Sequence, residues 1–478
     1  MMTAACSDDN VVNDNPTPDP DPVESNVVTL DVVDGASQAD RIHMVPQTKA
    51  VGGVKKNRLN FVAAIDAPEE RQGKKWSTTS IFIENEAGTE NTVYITWHSD
   101  RQATDPATVW GGALDVINFE VPSNPTVDNP LADLEIKGSY INDDLMKFEH
   151  VMKVEGVTFE TPNGGTTTAD ALFLSATHAE KGAVVARVPM FNPSRAEIIG
   201  MPGTSVNCVA QLGNNLVAVT GFKGTWATFS PSAEAVDYDY DDLNNNAWLK
   251  LGQDLSEGFG GKYIAIDENG RGYVLRTDDG EAQILGASSG RLVVGGMAPL
   301  ISDWKVGENY DPATDQWTTG KEESQLQGKH VMVVKDGYAY VGAGLNGLRV
   351  YRLSDGMEVK NFDDEKGGPN TIGLCIDDNL LYAATGSGLR VYQMLGNGQL
   401  ELYAFEVEEY DANGLPNSMN PPTTMDEGEA TPGHHSANFV TVLTSGSDKY
   451  IFVAYGQDGV RVYKLIPDAT GEVEEVTE

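Results

Sequence analysis

The chain has 478 residues, with 33 Lys and Arg against 71 Asp and Glu, for a formal net charge of −38 at pH 7. So negative a field opposes phosphate backbones and anionic headgroups, which argues against nucleic-acid binding and against membrane binding through basic patches; no apolar run approaches the roughly 20 residues that span a bilayer. Hydrophobic residues at 40% and aromatics at 8% suit a folded chain, and the length allows about three ordinary domains or one large β domain.

Residues 1–25 are read first as a tether. Small residues lead into Cys6, Ser7-Asp8-Asp9-Asn10 follows, and Pro, Asp and Asn dominate the stretch to residue 22. Such a composition buries too little apolar surface to fold and extends as a linker. The start resembles the end of a bacterial lipoprotein signal, with Cys6 as the lipid acceptor, and the acidic residues behind the cysteine resemble the surface-export signals of Bacteroidetes lipoproteins. Thr3 stands where that pattern usually has Leu, and the basic and apolar regions of the signal are missing. The resemblance implies an outer-membrane, cell-surface location in which the lipid is the only membrane contact.

Residues 26–478 are read as one repeat domain. Three stretches, 338–351, 381–392 and 450–463, share a β-rich run, a glycine turn and a second β-rich run that contains Arg-Val-Tyr. Weaker copies are anchored at Gly112, Gly182, Gly224 and Gly280, beside the strong ones at Gly347, Gly388 and Gly459. The closest anchors are about 40 residues apart, the period of a four-stranded propeller blade, and larger gaps mark insertions. Alternating Val, Ile, Tyr, Phe and Leu with almost no 3.6-residue apolar period excludes a helical fold. The expectation is an all-β, seven-bladed β-propeller with four-stranded blades behind a disordered N-terminal tether. The later copies resemble the LVIVD-repeat propellers of bacterial surface proteins, and 381–405 also looks like a blade of the lactonase-type propellers.

In the clearest blade the template places strand a at 330–334, an Asp336-Gly337 hairpin turn, strand b at 338–343, strand c at 348–353 and strand d from about Met357. Insertions at 287–327 and 406–433 then fall between blades. They join strand d to the next strand a, on the face that also carries the b–c loops. The last blade lacks an outer strand of its own, so either 27–33 or 60–65 is expected to complete it.

This register sends most of the histidines to that face. His98 and His178 end strands b, His150 and His330 begin strands a, and His434 and His435 lie just before strand a at Asn438. They are either polar residues closing strand ends or a ligand site at the channel mouth, since neutral imidazole both coordinates metals and hydrogen-bonds sugar hydroxyls. No cofactor is assigned; His98, His178 and His330 are the candidates should a divalent metal be bound. Trp97 either adds a stacking surface beside His98 or points into the neighbouring blade.

Other motifs carry less. Gly286-Ala287-Ser288-Ser289-Gly290 matches a nucleophile-elbow string but ends a strand, where that motif needs a strand-to-helix turn. The run from Asp237 to Asp242 alternates carboxylates as a calcium loop does, yet position six is Asp242 and position twelve is Trp248. The string 310–317 resembles the end of a kelch repeat but occurs once. Cys208 and Cys375 sit in apolar strand-like runs as small core residues, and Arg349, Arg390 and Arg461 repeat on strand c, where each can pair with a carboxylate of the neighbouring blade. No catalytic residue is assigned. The expected function is that of a monomeric, surface-exposed lipoprotein propeller binding a glycan, protein or outer-membrane partner through its loop-decorated face. The alternative is a metal-dependent hydrolase or lactonase-like enzyme whose histidine cluster holds a metal-activated water.

Overall fold

The computed structural model describes residues 26–45, 58–69, 76–84, 90–99, 111–126, 130–160, 165–221, 225–241, 245–246, 253–254, 260–276, 281–288, 291–299, 310–311, 316–317, 330–344, 347–359, 371–386, 388–406 and 437–467. Its first strands, β1 (Val27–Thr29), β2 (Asp31–Asp34), β3 (Ile42–Met44) and β4 (Leu59–Ile65), do not form a sheet of their own. Blade 1 follows with β5 (Trp76–Glu84), β6 (Glu90–Ser99), β7 (Gly112–Glu120) and β8 (Asp133–Asn142). Blade 2 is β9 (Leu145–Glu160), β10 (Thr166–His178), β11 (Gly182–Pro189) and β12 (Arg195–Gly200). Blade 3 is β13 (Ser205–Leu212), β14 (Asn215–Gly221), β15 (Trp226–Phe229) and β16 (Gln253–Asp254). Blade 4 is β17 (Gly261–Ile266), β18 (Gly272–Arg276), β19 (Glu281–Ser288) and β20 (Arg291–Pro299). A separate hairpin, β21 (Tyr310–Asp311) with β22 (Gln316–Trp317), occupies the kelch-like string. Blade 5 is β23 (Met332–Lys335), β24 (Tyr338–Gly342) and β25 (Leu348–Arg352). Blade 6 is β26 (Thr371–Asp377), β27 (Leu380–Thr385), β28 (Gly388–Gly396) and β29 (Gln399–Phe405), and blade 7 is β30 (Phe439–Ser445), β31 (Asp448–Ala454) and β32 (Val460–Leu465).

The blades make a closed seven-bladed propeller. Each pairs its strands antiparallel in sequence order. The inner strands touch in the order β5, β9, β13, β17, β23, β26 and β30, and β30 returns to β5. A four-stranded sheet cannot bury both of its faces alone, and the ring covers each face with the next blade. At the seam between blades 7 and 1, for example, the Phe119 ring lies 5.3 Å from Tyr450 and 4.9 Å from Phe452.

Closure uses the second of the two segments expected for it. β4 pairs antiparallel with β32, from Ile65 opposite Val460 to Leu465 opposite Leu59, and becomes the outer strand of blade 7. The other segment has a different place. β1 pairs with β12 and β2 with β8, while β3 pairs with β4, so the N-terminal stretch runs as a strap along the rims of blades 2, 1 and 7. These three blades therefore have five strands where four were expected. Among the described residues blade 5 has three, plus a single bridge from Tyr351 to Glu358. The physical reason is that an outer strand presents unpaired N–H and C=O groups, which a short added strand satisfies.

A buried ion pair locks the strap. Arg41, at the end of a 3-10 helix over Gly35–Arg41, reaches Asp115 of β7 with Nη2 2.6 Å from Oδ2, at 5% and 0% exposure. Trp97 Nε1–H donates to the same carboxylate at 2.8 Å, and Gln38 Oε1 accepts from Arg41 at 2.6 Å.

One insertion boundary is corrected. Residues 287–288 and 291–299 are not part of the insertion, because they belong to β19 and β20, which pair with each other. The inserted stretch begins after Pro299. Strand a of blade 5 likewise starts at Met332, two residues later than the template places it.

Candidate binding face at the d–a and b–c loops

The template glycines all precede or open a strand c, and Gly182, Gly347, Gly388 and Gly459 have φ of 74°, 73°, 96° and 81°, a region in which side chains are strained. The b–c turns and the d–a connections consequently lie on one face. The opposite face is built largely of tight turns, such as Asp336-Gly337 with φ of 51° and 80°, a left-handed pair that suits the strand twist. The longest connections, between β20 and β23 and between β29 and β30, leave strands d and return to strands a, so their ends stand at the first face. The long c–d segment of blade 3 also climbs to it. Arg187 donates to the carbonyls of Pro231 and Ala233 at 2.8 Å, Gly200 N to the Val236 carbonyl at 2.8 Å, and Tyr240 OH to the Gly203 carbonyl at 2.8 Å. Lys181 of the blade 2 b–c turn then pairs with Asp237 at 2.9 Å.

This segment borders a cavity of about 690 Å³ lined by Tyr238, Tyr240, Asp237, Asp239, Asp241 and Asn245. It is the stretch that resembles a calcium loop. Asp239 is engaged within it: Oδ1 accepts from Asp241 N at 2.9 Å and Oδ2 from Asn245 Nδ2 at 2.7 Å. The sequence marks these carboxylates, but nothing local in it indicates that the loop would fold back onto Lys181.

The histidines are placed separately. His98, next to last in β6, has Nδ1 3.3 Å from Glu149 Oε1 on the inner strand of blade 2. His178 ends β10, and its Nδ1 accepts from Glu180 N at 3.2 Å and Lys181 N at 3.3 Å, capping the b–c turn. Burial, aided by the Lys181 charge, pushes its pKa below the usual 6.5. His330 is 0% exposed with φ of 46°, and its Nδ1 lies 3.0 Å from the Gly342 carbonyl, where the start of strand a meets the end of strand b. His434 and His435 lie outside the described residues.

His150 departs from its expected position. It is not the first residue of strand a, because β9 already begins at Leu145, paired with His178. The extra residues carry His150 down the inner strand, where its ring lies 6.0 Å from Tyr263 of β17 and 6.3 Å from Phe439 of β30. Strands of three different blades thus meet across the axis. Burial pushes the Tyr263 phenol well above its usual value, with the Cys208 and Cys375 sulfurs adding to the effect, and pushes the Cys375 thiol up to about 12. Neither Cys208 nor Cys375 is in a disulfide. A thiol held that high is un-ionised at neutral pH and is not a nucleophile.

Trp97 takes the second of its two expected orientations. It is fully buried, and its N–H is spent on Asp115, so it offers no stacking surface. His98, His178 and His330 are held on three different blades, and among the described residues no group of three or more His, Cys, Asp or Glu could hold a metal ion. The expected arginine ladder holds across blades at Arg461, which pairs with Glu406 of blade 6 at 2.6 Å and covers the Tyr455 ring at 4.4 Å. Arg349 instead pairs within its own blade, with Glu358 at 2.5 Å.

No family model matches the chain, and no curated protein matches it. Among solved structures it is similar to the WD40 β-propeller domain of Doa1, at 8% identity and a TM-score of 0.40 over 85% of this chain and 96% of that one. A protein of Bacteroides uniformis assigned as a 6-phosphogluconolactonase gives 11% and 0.41 over 85% and 96%. The computationally designed Ika8 protein gives 11% and 0.39 over 84% and 99%. Likenesses at this level carry no argument about function, and the fold rests on the strand pairing of the chain itself.

Proposed function

We propose that the chain is a lipid-anchored surface protein that binds a glycan, a protein or another outer-membrane partner through the face made by its d–a and b–c loops. The observation that carries this reading is the uneven distribution of chain length. The long stretches between β20 and β23 and between β29 and β30 leave from this face and return to it, and the c–d segment of blade 3 folds up to join it. A rigid ring that concentrates its variable loops on one side is the arrangement of a recognition module, because binding residues gather on loops held by a scaffold. Cys6 is the lipid acceptor in this reading, residues 1–25 are the tether, and the likeness of the later repeats to the LVIVD-repeat propellers of bacterial surface proteins supports it. His98 and His178 stand at the b–c loops where a ligand would meet them.

The test is binding of the purified chain to glycan and peptide arrays, repeated with residues 407–436 replaced by a short Gly-Ser linker. Binding should fall about tenfold or more with the melting temperature unmoved. Binding retained both in that variant and in one with residues 300–329 replaced would overturn the reading. Stoichiometric zinc, manganese or calcium in untagged protein would favour the hydrolase instead.

A further inference from the structure

The opposite face of the ring holds a cleft of about 400 Å³ between blades 4 and 5, walled by the a–b hairpins of both blades and by the turn after β25. Its floor is apolar, made by Ile284, Val334, Leu353 and the Tyr338 ring. The three aliphatic residues pack half-buried against the core of blades 4 and 5. The rim is polar and of both signs: Glu268, Asn269, Arg271, Asp336, Ser354 and Arg352, the last already paired with Asp355 at 2.5 Å. Arg271 is 59% exposed, and among the described residues its ion pair is a long one, 3.6 Å, to Asp267.

Both walls are already held in shape. The Asp267 carboxylate accepts from Asn269 N at 2.9 Å, Arg271 N at 2.8 Å and Tyr273 OH at 3.0 Å, which fixes the blade 4 hairpin. The blade 5 hairpin is the two-residue turn Asp336-Gly337. A preformed wall loses little conformational freedom when a ligand enters.

The composition selects the ligand. An anion would meet Glu268 and Asp336, and a cation would meet Arg271. A wholly apolar molecule would take rim groups out of water without replacing their hydrogen bonds. A neutral ring bearing hydroxyls fits every part, with its C–H surface on Tyr338 and the aliphatic floor and its hydroxyls donating to the carboxylates and accepting from the guanidinium and amide. The volume is at the small end of ligand pockets, the size of one or two sugar rings. We infer that this cleft is a binding subsite for a neutral saccharide, distinct from the loop-decorated face and independent of what that face binds.

The test is saturation-transfer NMR and titration calorimetry with four neutral tetrasaccharides: maltotetraose, cellotetraose, mannotetraose and chitin tetramer. Tetragalacturonate and tetralysine serve as charged controls. At least one neutral tetramer should bind, with Kd changing less than about twofold between roughly 0.05 and 0.5 M salt, and both charged probes should fail. Arg271→Ala combined with Asp336→Asn should weaken binding about tenfold or more at unchanged melting temperature; Asn tolerates the left-handed turn. Ser354→Trp, which crowds the rim from outside the core, should do the same. Replacing residues 407–436 should leave saccharide binding intact. Absence of binding by every neutral tetramer at millimolar concentration, indifference to both rim variants, a charged probe that competes, or loss on replacing 407–436 would each overturn the inference.

Discussion

Gly459 and Ile65 meet where the ring closes: a Cβ on Gly459 would stand 2.1 Å from the Ile65 carbonyl oxygen, and the residue has φ of 81°. With ψ of −144° the residue lies in a region open essentially to glycine alone, so Gly459→Ala should cost about 2–6 kcal/mol, the sum of backbone strain and overpacking. Gly446→Ala is the control, since Gly446 has φ of 60° but nothing within 4 Å of the added carbon; it should cost about 1–2 kcal/mol. Urea unfolding of both variants measures the difference, and equal losses would mean that the seam relaxes.

Removing residues 1–24 should leave the melting temperature unchanged, because among the described residues the contacts of this end begin at Asn26, whose carbonyl accepts from Ile198 N, and strand pairing begins at Val27. Removing 1–45 takes the strap but spares β4, and should lower stability while preserving the fold. Removing 1–68 takes the outer strand of blade 7 and should prevent folding. A cooperative calorimetric transition in the last variant would show that blade 7 closes without β4.

Asp115→Ala leaves the Arg41 guanidinium and the Trp97 N–H buried without their acceptor. The expected loss is about 3–5 kcal/mol, read by denaturant titration. Arg41→Met combined with Asp115→Leu should recover most of it, since replacing a whole buried ion pair with apolar groups is far cheaper than breaking one.

His178 makes stability depend on pH. Its folded pKa is below the usual 6.5, so between the two values the unfolded chain binds more protons and stability rises with pH. The contribution is complete above about pH 6.5 and is lost as the pH falls through the folded pKa. His178→Gln should be less stable than the parent at pH 7.5, and the gap in melting temperature should narrow toward pH 5. A gap that stays constant or widens on acidification would contradict the capping role.

His330→Ala should cost about 1–3 kcal/mol, because the ring is fully buried and tied to Gly342. His98→Ala should cost much less, since His98 is partly exposed. Thermal melts of the two variants at one pH would compare them directly.

What was legible in the chain follows the length scale of each interaction. The glycine turns that open strand c are local and repeat in the sequence, so Gly182, Gly347, Gly388 and Gly459 mark the blades, and the shortage of strand beyond Leu465 points to an N-terminal segment for closure. The strap is different. Val27–Thr29 and Ile42–Met44 are three-residue strands with no alternation long enough to read, and they exist only because blade edges offer partners far away in sequence. His150 was misplaced through register: β9 starts five residues before it, which moves that ring from the mouth of the channel to its interior. The cleft between blades 4 and 5 joins Glu268 to Asp336 and Ser354 across two hairpins, a proximity that no spacing along the chain encodes.

The pairing of β4 with β32 also sets a timetable. Leu59 leaves the ribosome about 400 residues ahead of Leu465, its partner, so for nearly the whole of synthesis β4 is a strand without a sheet. Blades 2 to 6 can assemble one after another from local hairpins. The ring as a whole cannot close until the last strand c is made, and until then blade 1 has no neighbour on its blade 7 side and presents the apolar surface of Phe119. A half-made chain is therefore the most aggregation-prone form of this protein, and a translation stall late in blade 7 should do more harm than one in blade 4.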